Sequence, residues 1–390
     1  MTHVADWEDL DAPPPGPPLS VTVAPLIPTN QPAPPTHGVA PDEPVPVARE
    51  TWVPLQEWTK AKGLPNPTRL NSAPQPAYVL KSTSGALVLT AGTRSAHWDG
   101  LELRLGFAPQ FINGQLYAHS LDIRKTVQPL LLANTSPQLL TGAVVVIDPG
   151  HGGGDSGTRS VAGNRYEKDF TLDWATRLQA LMSAQGCQVF LTRSNDTDVA
   201  LSNRVVFAAS HHADVFLSLH FNSAGQDSGE AGLETYCLTP RGMPSSLTRG
   251  YADEISMTFP NNGFDAQNLR LAMAVHRSLL QVNGHVDRGV RRARFPAVLR
   301  GQERPAILIE GGYLSNPREA GMIAQPTYRQ HLAEAVARAL LPSADLAGNK
   351  PQAREPETGG HEAQLKQQRP QEEPNSKTNE PAGSSDVESP

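Results

Sequence analysis

Long apolar runs, abundant cysteine and blocks of like charge are all missing from this chain of 390 residues. No run approaches the roughly 18 apolar residues that a membrane-spanning helix needs, so no membrane span is predicted. Residues 1–9 lack the basic start and following apolar stretch that are typical of a secretory signal. The net charge of -6 is modest and both signs are spread along the chain, which disfavours a nucleic-acid partner.

The two cysteines, Cys187 and Cys237, are too few for a disulfide scaffold. Each lies in an apolar run that is typical of a strand, where a thiol packs as a small hydrophobic side chain. We therefore predict two buried free thiols.

Proline and polar residues mark both ends of the chain. Thirteen of the 36 prolines fall within residues 1–48, which predicts an extended, disordered tether. Residues 343–390 are rich in Glu, Gln, Pro, Lys, Asn and Ser and have few large apolar side chains. This composition predicts a disordered tail.

Two globular domains are predicted between these ends. Residues 49–140 contain short apolar runs broken by glycine, a pattern that indicates a small strand-rich domain. Residues 142–342 alternate apolar runs with helical periodicity and are predicted to form a second, larger domain. Such alternation favours an α/β fold with a mostly parallel sheet flanked by helices.

Within residues 142–342, short apolar runs predict strands near 144–147, 188–192, 215–219, 233–238 and 306–309. Helices are predicted near 201–212, 268–282 and 327–340. A further helix is predicted from apolar residues that share one helical face, namely Phe170, Trp174, Leu178, Leu181 and Met182.

Polar residues follow three of these predicted strands. His151 comes after the first, His220 after the third and Glu310 after the last, while Glu167 precedes the first helix. In an open α/β sheet, ligands bind outside the carboxyl ends of the strands. These side chains are therefore candidates for one site.

Two imidazoles and one carboxylate are the ligand set of a catalytic zinc that leaves its fourth position open for water. We predict that His151, Glu167 and His220 bind zinc and that Glu310 is the proton carrier. Simpler interpretations exist for each residue. A histidine after a strand is often only hydrogen-bonded, and Glu167 would be a favourable charge near a helix N-terminus. Glu310 follows a buried run, where a carboxylate is costly unless it is paired or functional.

A basic cluster precedes Glu310 in the sequence: Arg288, Arg291, Arg292, Arg294 and Arg300. It is either a solvated face or a surface for an anionic peptide substrate, which arginine would bind through bidentate carboxylate contacts.

Four motifs in this order resemble the zinc-dependent N-acetylmuramoyl-L-alanine amidases of the amidase-3 type: DPGHGG at 148–153, EK at 167–168, SLHFN at 218–222 and EGGYLSN at 310–316. The resemblance covers roughly half of the chain. It implies that residues 142–342 are a zinc amidase catalytic domain, that His151, Glu167 and His220 bind zinc, and that Glu310 is catalytic. We also place Asn222, Arg204 and Arg288 in the substrate-binding set.

The resemblance implies hydrolysis of the amide bond between N-acetylmuramic acid and L-alanine in peptidoglycan, in wall remodelling or daughter-cell separation. It implies a location in the bacterial envelope, periplasmic or secreted. It is also consistent with an activating envelope protein. Residues 239–267 are a candidate gate over the site. The alternatives are a zinc peptidase that cuts within the peptide stem and a non-catalytic peptidoglycan-binding protein. The sequence does not give the oligomeric state.

Overall fold

The computed structural model describes residues 52–70, 75–132, 137–225, 227–250, 252–282 and 284–342. The predicted disordered ends, 1–48 and 343–390, lie outside these residues. No helix in the described ranges is both long enough and apolar enough to span a membrane.

Short strands dominate the described residues up to 132. The strands are β1 (Trp52–Pro54), β2 (Thr68–Leu70), β3 (Ala77–Ser82), β4 (Gly85–Thr90), β5 (Ser95–Trp98), β6 (Leu101–Arg104), β7 (Gln110–Ile112) and β8 (Gln115–His119). The helices are α1 (Leu55–Ala61), α2 (Ser120–Asp122) and α3 (Gln128–Leu131), with a π-helical turn at Ile123–Val127 between the last two.

From residue 137 onwards strands alternate with helices. The strands are β9 (Val144–Pro149), β10 (Gln188–Leu191), β11 (Val215–Asn222), β12 (Leu233–Leu238), β13 (Asp287–Ala293) and β14 (Ala306–Tyr313). The helices are α4 (Glu167–Ala184), α5 (Leu201–Ser210), α6 (Asp265–Leu280), α7 (Ala297–Arg300), α8 (Pro317–Ile323) and α9 (Pro326–Leu340), and a 3-10 turn at Pro260–Phe264 leads into α6.

In the described chain, eleven strands form one mixed sheet in the order β10-β9-β11-β14-β12-β13-β6-β5-β4-β3-β2. The pairs β10–β9, β9–β11, β11–β14 and β12–β13 are parallel, whereas β12 runs antiparallel to β14. The predicted fold class, a mostly parallel sheet flanked by helices with a strand-rich region before it, is confirmed.

The strand-rich N-terminal region joins the same sheet. β6 pairs with β13 in parallel, with Leu103 opposite Val290, and β2 to β6 continue the sheet as antiparallel neighbours. β1, β8 and β7 form a separate antiparallel sheet of three strands. The division into two domains near residue 140 stays a prediction.

Alternate residues of the central strands pack on opposite faces of the sheet. On one face, Leu217 and Ile309 pack in the core cluster that includes Trp174 of α4. On the other face, Phe216 and Leu308 belong to a second cluster, with residues from α5 and α7. Burying an aliphatic or Phe side chain in this way stabilises the fold by about 1.5–3 kcal/mol. The sheet is thus covered on both sides, as a largely parallel sheet requires.

Both cysteines are buried and free, as predicted. Cys237 lies within β12 and Cys187 lies immediately before β10. Burial raises the pKa of both thiols, so each packs as a neutral side chain.

Candidate active site

Three side chains that are far apart in the sequence meet at the carboxyl end of the central strands. His151 follows β9, Glu167 is the first residue of α4, and His220 lies within β11. All three are buried, and their ligand atoms lie within 4.8 Å of one another. The structure therefore brings together the three residues predicted as metal ligands.

The carboxylate of Glu167 lies between the two imidazoles. Its Oε2 is 3.1 Å from Nε2 of His151, and its Oε1 is 2.9 Å from Nδ1 of His220. Ligand atoms lie about 2.0–2.2 Å from a zinc ion, so three ligands of one ion need to be a few ångströms apart. Two nitrogens and a carboxylate oxygen at this spacing suit a divalent cation such as zinc.

Neighbouring groups fix the orientation of these side chains. Asp155 Oδ1 is 2.8 Å from Nδ1 of His151, which directs the other ring nitrogen towards Glu167. Oε1 of Glu167 accepts a hydrogen bond from the Phe221 N–H, and its Oε2 accepts one from the Thr158 N–H. The three side chains are therefore held in place by their neighbours.

Two glycines give these rings their space. A Cβ on Gly150 would lie 2.2 Å from Cε1 of His220, and a Cβ on Gly157 would lie 2.7 Å from Cδ2 of His151. Gly157 also has φ +61°, a conformation that disfavours other residues. The backbone can approach the site this closely only because no side chain is present at either position.

The charges of the three groups depend strongly on one another. Burial alone would lower the pKa of His151, but the carboxylates of Glu167 and Asp155 raise it to about 10. Burial raises the pKa of Glu167, yet the two imidazoles hold it well below its usual range. Burial lowers the pKa of His220. A cation that binds here replaces a proton on this group, which is how metal sites ordinarily couple to protonation.

Glu310 lies on β14, directly opposite His220 of β11 in the parallel register. Its side chain is buried, and among the described residues its Oε2 has no hydrogen-bond partner. Burial is the main cause that raises the pKa of Glu310 to about 8, with Glu167 and Glu234 adding to it and Arg249 opposing it. A carboxyl group in this state is suited to accepting and returning a proton near neutral pH.

Arg204, predicted to bind substrate, lies beneath the loop that carries His151. It is 3% exposed, and its Nη1 donates to Asp148 Oδ1 at 2.7 Å and to the Pro149 carbonyl oxygen at 2.9 Å. Its Nη2 donates to the carbonyl oxygen of His151 at 2.9 Å. We therefore propose that Arg204 positions this loop and does not contact substrate.

The Arg204→Met variant tests this role. It is expected to lower the free energy of unfolding by about 3–5 kcal/mol, because it leaves the buried Asp148 without its cation. Burial raises the pKa of Asp148, but Arg204 and Thr192 together hold it below its ordinary value. Denaturant unfolding measures the loss, with the exposed Arg318→Met as the matched control. Unchanged stability with a raised KM would return Arg204 to the substrate-binding set.

Asn222 and Arg288, also predicted to bind substrate, converge on a buried carboxylate, Glu234. Glu234 lies on β12 opposite Glu310 of β14, and it accepts hydrogen bonds from Asn222 Nδ2 at 3.0 Å and Arg288 Nε at 2.8 Å. The hydroxyl of Tyr236 also donates to Glu234. These side chains form a polar network on the β12 side of Glu310, and whether either contacts substrate stays a prediction.

The basic cluster does not form one surface. Arg292 and Arg294 are buried, so neither a solvated face nor a substrate surface describes them. Arg292 donates to Thr126, and Arg294 donates to the Pro240 carbonyl oxygen and pairs with Asp253. Arg294 thus anchors the segment between β12 and α6, which includes most of residues 239–267.

That segment brings one more arginine to the site. Arg249 Nη2 donates to Asn222 Oδ1 at 3.0 Å and lies 4.0 Å from Glu310 Oε1. The sequence interpretation singled out neither Arg249 nor Glu234. Glu234 had a detectable signal, since it is a lone acid within an apolar run, as Glu310 is. No sequence signal identified Arg249, because its segment shows no helical or strand periodicity.

Comparison with known proteins places this site in a family. Residues 145–341 match the amidase-3 family, described as N-acetylmuramoyl-L-alanine amidase. The chain is 33% identical over 205 residues to the N-acetylmuramoyl-L-alanine amidase LytC of Bacillus subtilis, covering 53% of this chain and 36% of LytC. It is 32% identical over 252 residues to the N-acetylmuramoyl-L-alanine amidase AmiC of Neisseria meningitidis, covering 58% of this chain and 59% of AmiC. The chain thus spans between about a third and three-fifths of these relatives.

Among solved structures, the catalytic domain of CwlV, an N-acetylmuramoyl-L-alanine amidase from Bacillus (Paenibacillus) polymyxa var. colistinus, is similar to this chain. The identity is 31%, the TM-score is 0.42, and the match covers 50% of this chain and 95% of that domain.

Proposed function

The chain belongs to the amidase-3 family of N-acetylmuramoyl-L-alanine amidases, and from that premise we propose that it hydrolyses the amide bond between N-acetylmuramic acid and L-alanine in peptidoglycan. The observation that carries the proposal is the buried group of His151, Glu167 and His220, with Glu310 on the neighbouring strand. A non-catalytic wall-binding protein has no need for a buried carboxylate beside such a group, because the carboxylate costs stability.

We propose that the three side chains hold zinc. When bound there, zinc would supply a Lewis acid that polarises the scissile carbonyl group and makes a water molecule more acidic. His151 and His220 are neutral nitrogen ligands in that state, and Glu167 supplies the one anionic ligand. Asp155 and Gly157 keep the His151 ring in the orientation that this role requires.

Glu310 carries the proton in this proposal. Its carboxylate takes a proton from the attacking water and delivers it to the departing amine of L-alanine. Burial raises the pKa of Glu310, which makes its carboxylate a stronger base towards the attacking water. The unpartnered Oε2 is the atom that we assign to this transfer.

Mass spectrometry of peptidoglycan after incubation with the protein tests the reaction. Stem peptides that begin at L-alanine are expected, released with zinc and absent after chelation. Metal-dependent cuts within the stem would instead identify a peptidase, and zinc-loaded protein that binds peptidoglycan without releasing any fragment would identify a binding protein.

We further propose that the protein acts in the cell envelope, periplasmic or secreted, in wall remodelling or daughter-cell separation, because its substrate lies there. An activating envelope protein is compatible with this role. Fractionation of cells that express the complete gene checks the location, and a protein confined to the cytoplasm would contradict it.

A further inference from the structure

Arg249 presents a largely buried guanidinium group beside the proposed proton carrier. Its side chain is 18% exposed, and its backbone has φ +48°, which is uncommon outside glycine. The guanidinium carbon lies 4.9 Å from the ring centroid of Phe295 and 5.9 Å from that of Tyr236. Both rings lie within the range of a cation–π contact with the charged group.

The arginines around Glu234 differ in how their charges are balanced. Arg288 makes ion pairs with both Glu230 and Glu234, and Arg291 lies 3.5 Å from Glu234. Across the described ranges, the one carboxylate within 4.0 Å of Arg249 is Glu310, and no hydrogen bond joins the two. Among these three arginines, Arg249 is therefore the one whose positive charge is not fully balanced by a nearby carboxylate.

A buried cation of this kind is stabilised by a hydrogen-bonded anion. The guanidinium group has five N–H donors in a planar fork that matches a carboxylate. Asn222 and Tyr236 engage only part of that fork. Glu310, at 4.0 Å, is too distant to form a hydrogen bond with the fork.

The guanidinium group is also held in place before any ligand arrives. Asn222, which accepts its hydrogen bond, is itself fixed by Glu234. Asp253, four residues along the same segment, accepts hydrogen bonds from the backbone N–H and hydroxyl of Ser245 and pairs with the buried Arg294. A cation fixed in this way loses little conformational freedom when it binds an anion.

We propose that Arg249 is a substrate-binding residue that recognises a carboxylate of the stem peptide. The inference rests on the proposed function and specifies its substrate class. Because the proposed mechanism has Glu310 protonate the amine of L-alanine, we assign Arg249, 4.0 Å from Glu310, to the peptide side of the scissile bond. The first free carboxylate on that side belongs to the second stem residue, D-glutamate. Amidation of this carboxylate removes its charge and converts the residue to D-isoglutamine. Arg249 therefore selects stems with an unamidated second residue.

The test compares two soluble muropeptides that are identical except for amidation of that carboxylate. The Arg249→Met variant keeps a side chain of similar length against Phe295 and Tyr236 but removes the charge. Its kcat/KM for the carboxylate substrate is expected to fall about 10- to 100-fold, the range for a charge-assisted hydrogen bond, with less than about a threefold change for the amidated one. Arg249→Lys keeps the charge without the fork and is expected to retain part of the preference. Arg241→Met, an exposed arginine of the same segment, is the control.

An equal fall for both substrates would overturn the proposal and show that Arg249 acts through Glu310. A rise for both would also overturn it and identify Arg249 as a cover over the site. Thermal unfolding of each variant checks the fold. Calorimetric binding of the free stem peptides, with D-glutamate or D-isoglutamine, to zinc-loaded Glu310→Gln protein gives a second measurement that needs no turnover. Peptide selectivity in a wild-type protein that releases no stems would contradict the proposed reaction while supporting the role of Arg249.

Discussion

The Glu310→Gln variant is expected to lose about 100- to 10,000-fold in turnover while binding zinc as the wild type does. Glutamine has nearly the shape of glutamate but cannot take a proton from water. Glu310 is not a member of the His151, Glu167 and His220 group, so its replacement leaves the ligand set intact. Turnover of peptidoglycan and the zinc content of the purified protein, measured on the same sample, give both parts of the result.

The control for this variant is Glu303→Gln, which makes the same chemical change at an exposed residue shortly before β14. It is expected to leave both turnover and zinc content unchanged. Stability of the Glu310→Gln protein is not expected to fall, because glutamine has no charge to bury. Wild-type turnover in a folded, zinc-loaded Glu310→Gln protein would rule out the assigned proton transfer.

The second large effect is expected from Glu167→Gln, which removes the negative charge between the two imidazoles. Loss of groups that merely orient a metal ligand costs 10- to 100-fold in metal affinity, so removal of a ligand charge is expected to cost at least about 100-fold. Because the proposed mechanism requires bound zinc, hydrolysis is expected to be lost together with the metal. In the wild type, zinc at about 1,000 times its Kd adds about 4 kcal/mol to the stability of the folded state.

The measurement is the Tm of each protein with excess zinc and with a chelator. The wild type is expected to gain stability from zinc, and Glu167→Gln is expected to gain little. Glu334→Gln, on the exposed face of α9, is the matched control and should respond as the wild type does. An equal zinc response in all three proteins would show that the metal binds elsewhere.

The sequence predicted the parts of the fold that rest on local patterns. Apolar runs located β9, β10, β11, β12 and β14 to within a few residues, because buried strands must be apolar on both faces. The sequence patterns did not predict β13, because residues 287–293 contain three arginines and resemble a charged surface segment. Their guanidinium groups are satisfied by partners from other segments, such as Glu234 and Thr126, and no local pattern reveals such pairing.

The same distinction separates the parts of the site. His151, His220 and Glu310 could be found because each stands at or near the end of an apolar run, and strand ends converge in this fold. The role of Arg204 could not be derived, because a buried ion pair with Asp148 depends on how α5 packs beneath β9. Arg249 depends on the course of a long segment that is fixed by Arg294, far along the chain.

The pairing of β6 with β13 has a consequence for anyone who isolates the catalytic part of this chain. β13 is flanked on one side by β12 and on the other by β6, and Asp287 Oδ2 of β13 accepts a hydrogen bond from the N–H of Glu102 at the same junction. A fragment cut to the family segment, residues 145–341, would lose that second neighbour. The open edge would then offer unpaired N–H and C=O groups to the strands of other molecules, which is a recognised route to aggregation. The strand-rich region therefore covers the edge of the sheet at β13. Fragments for expression should begin before residue 52.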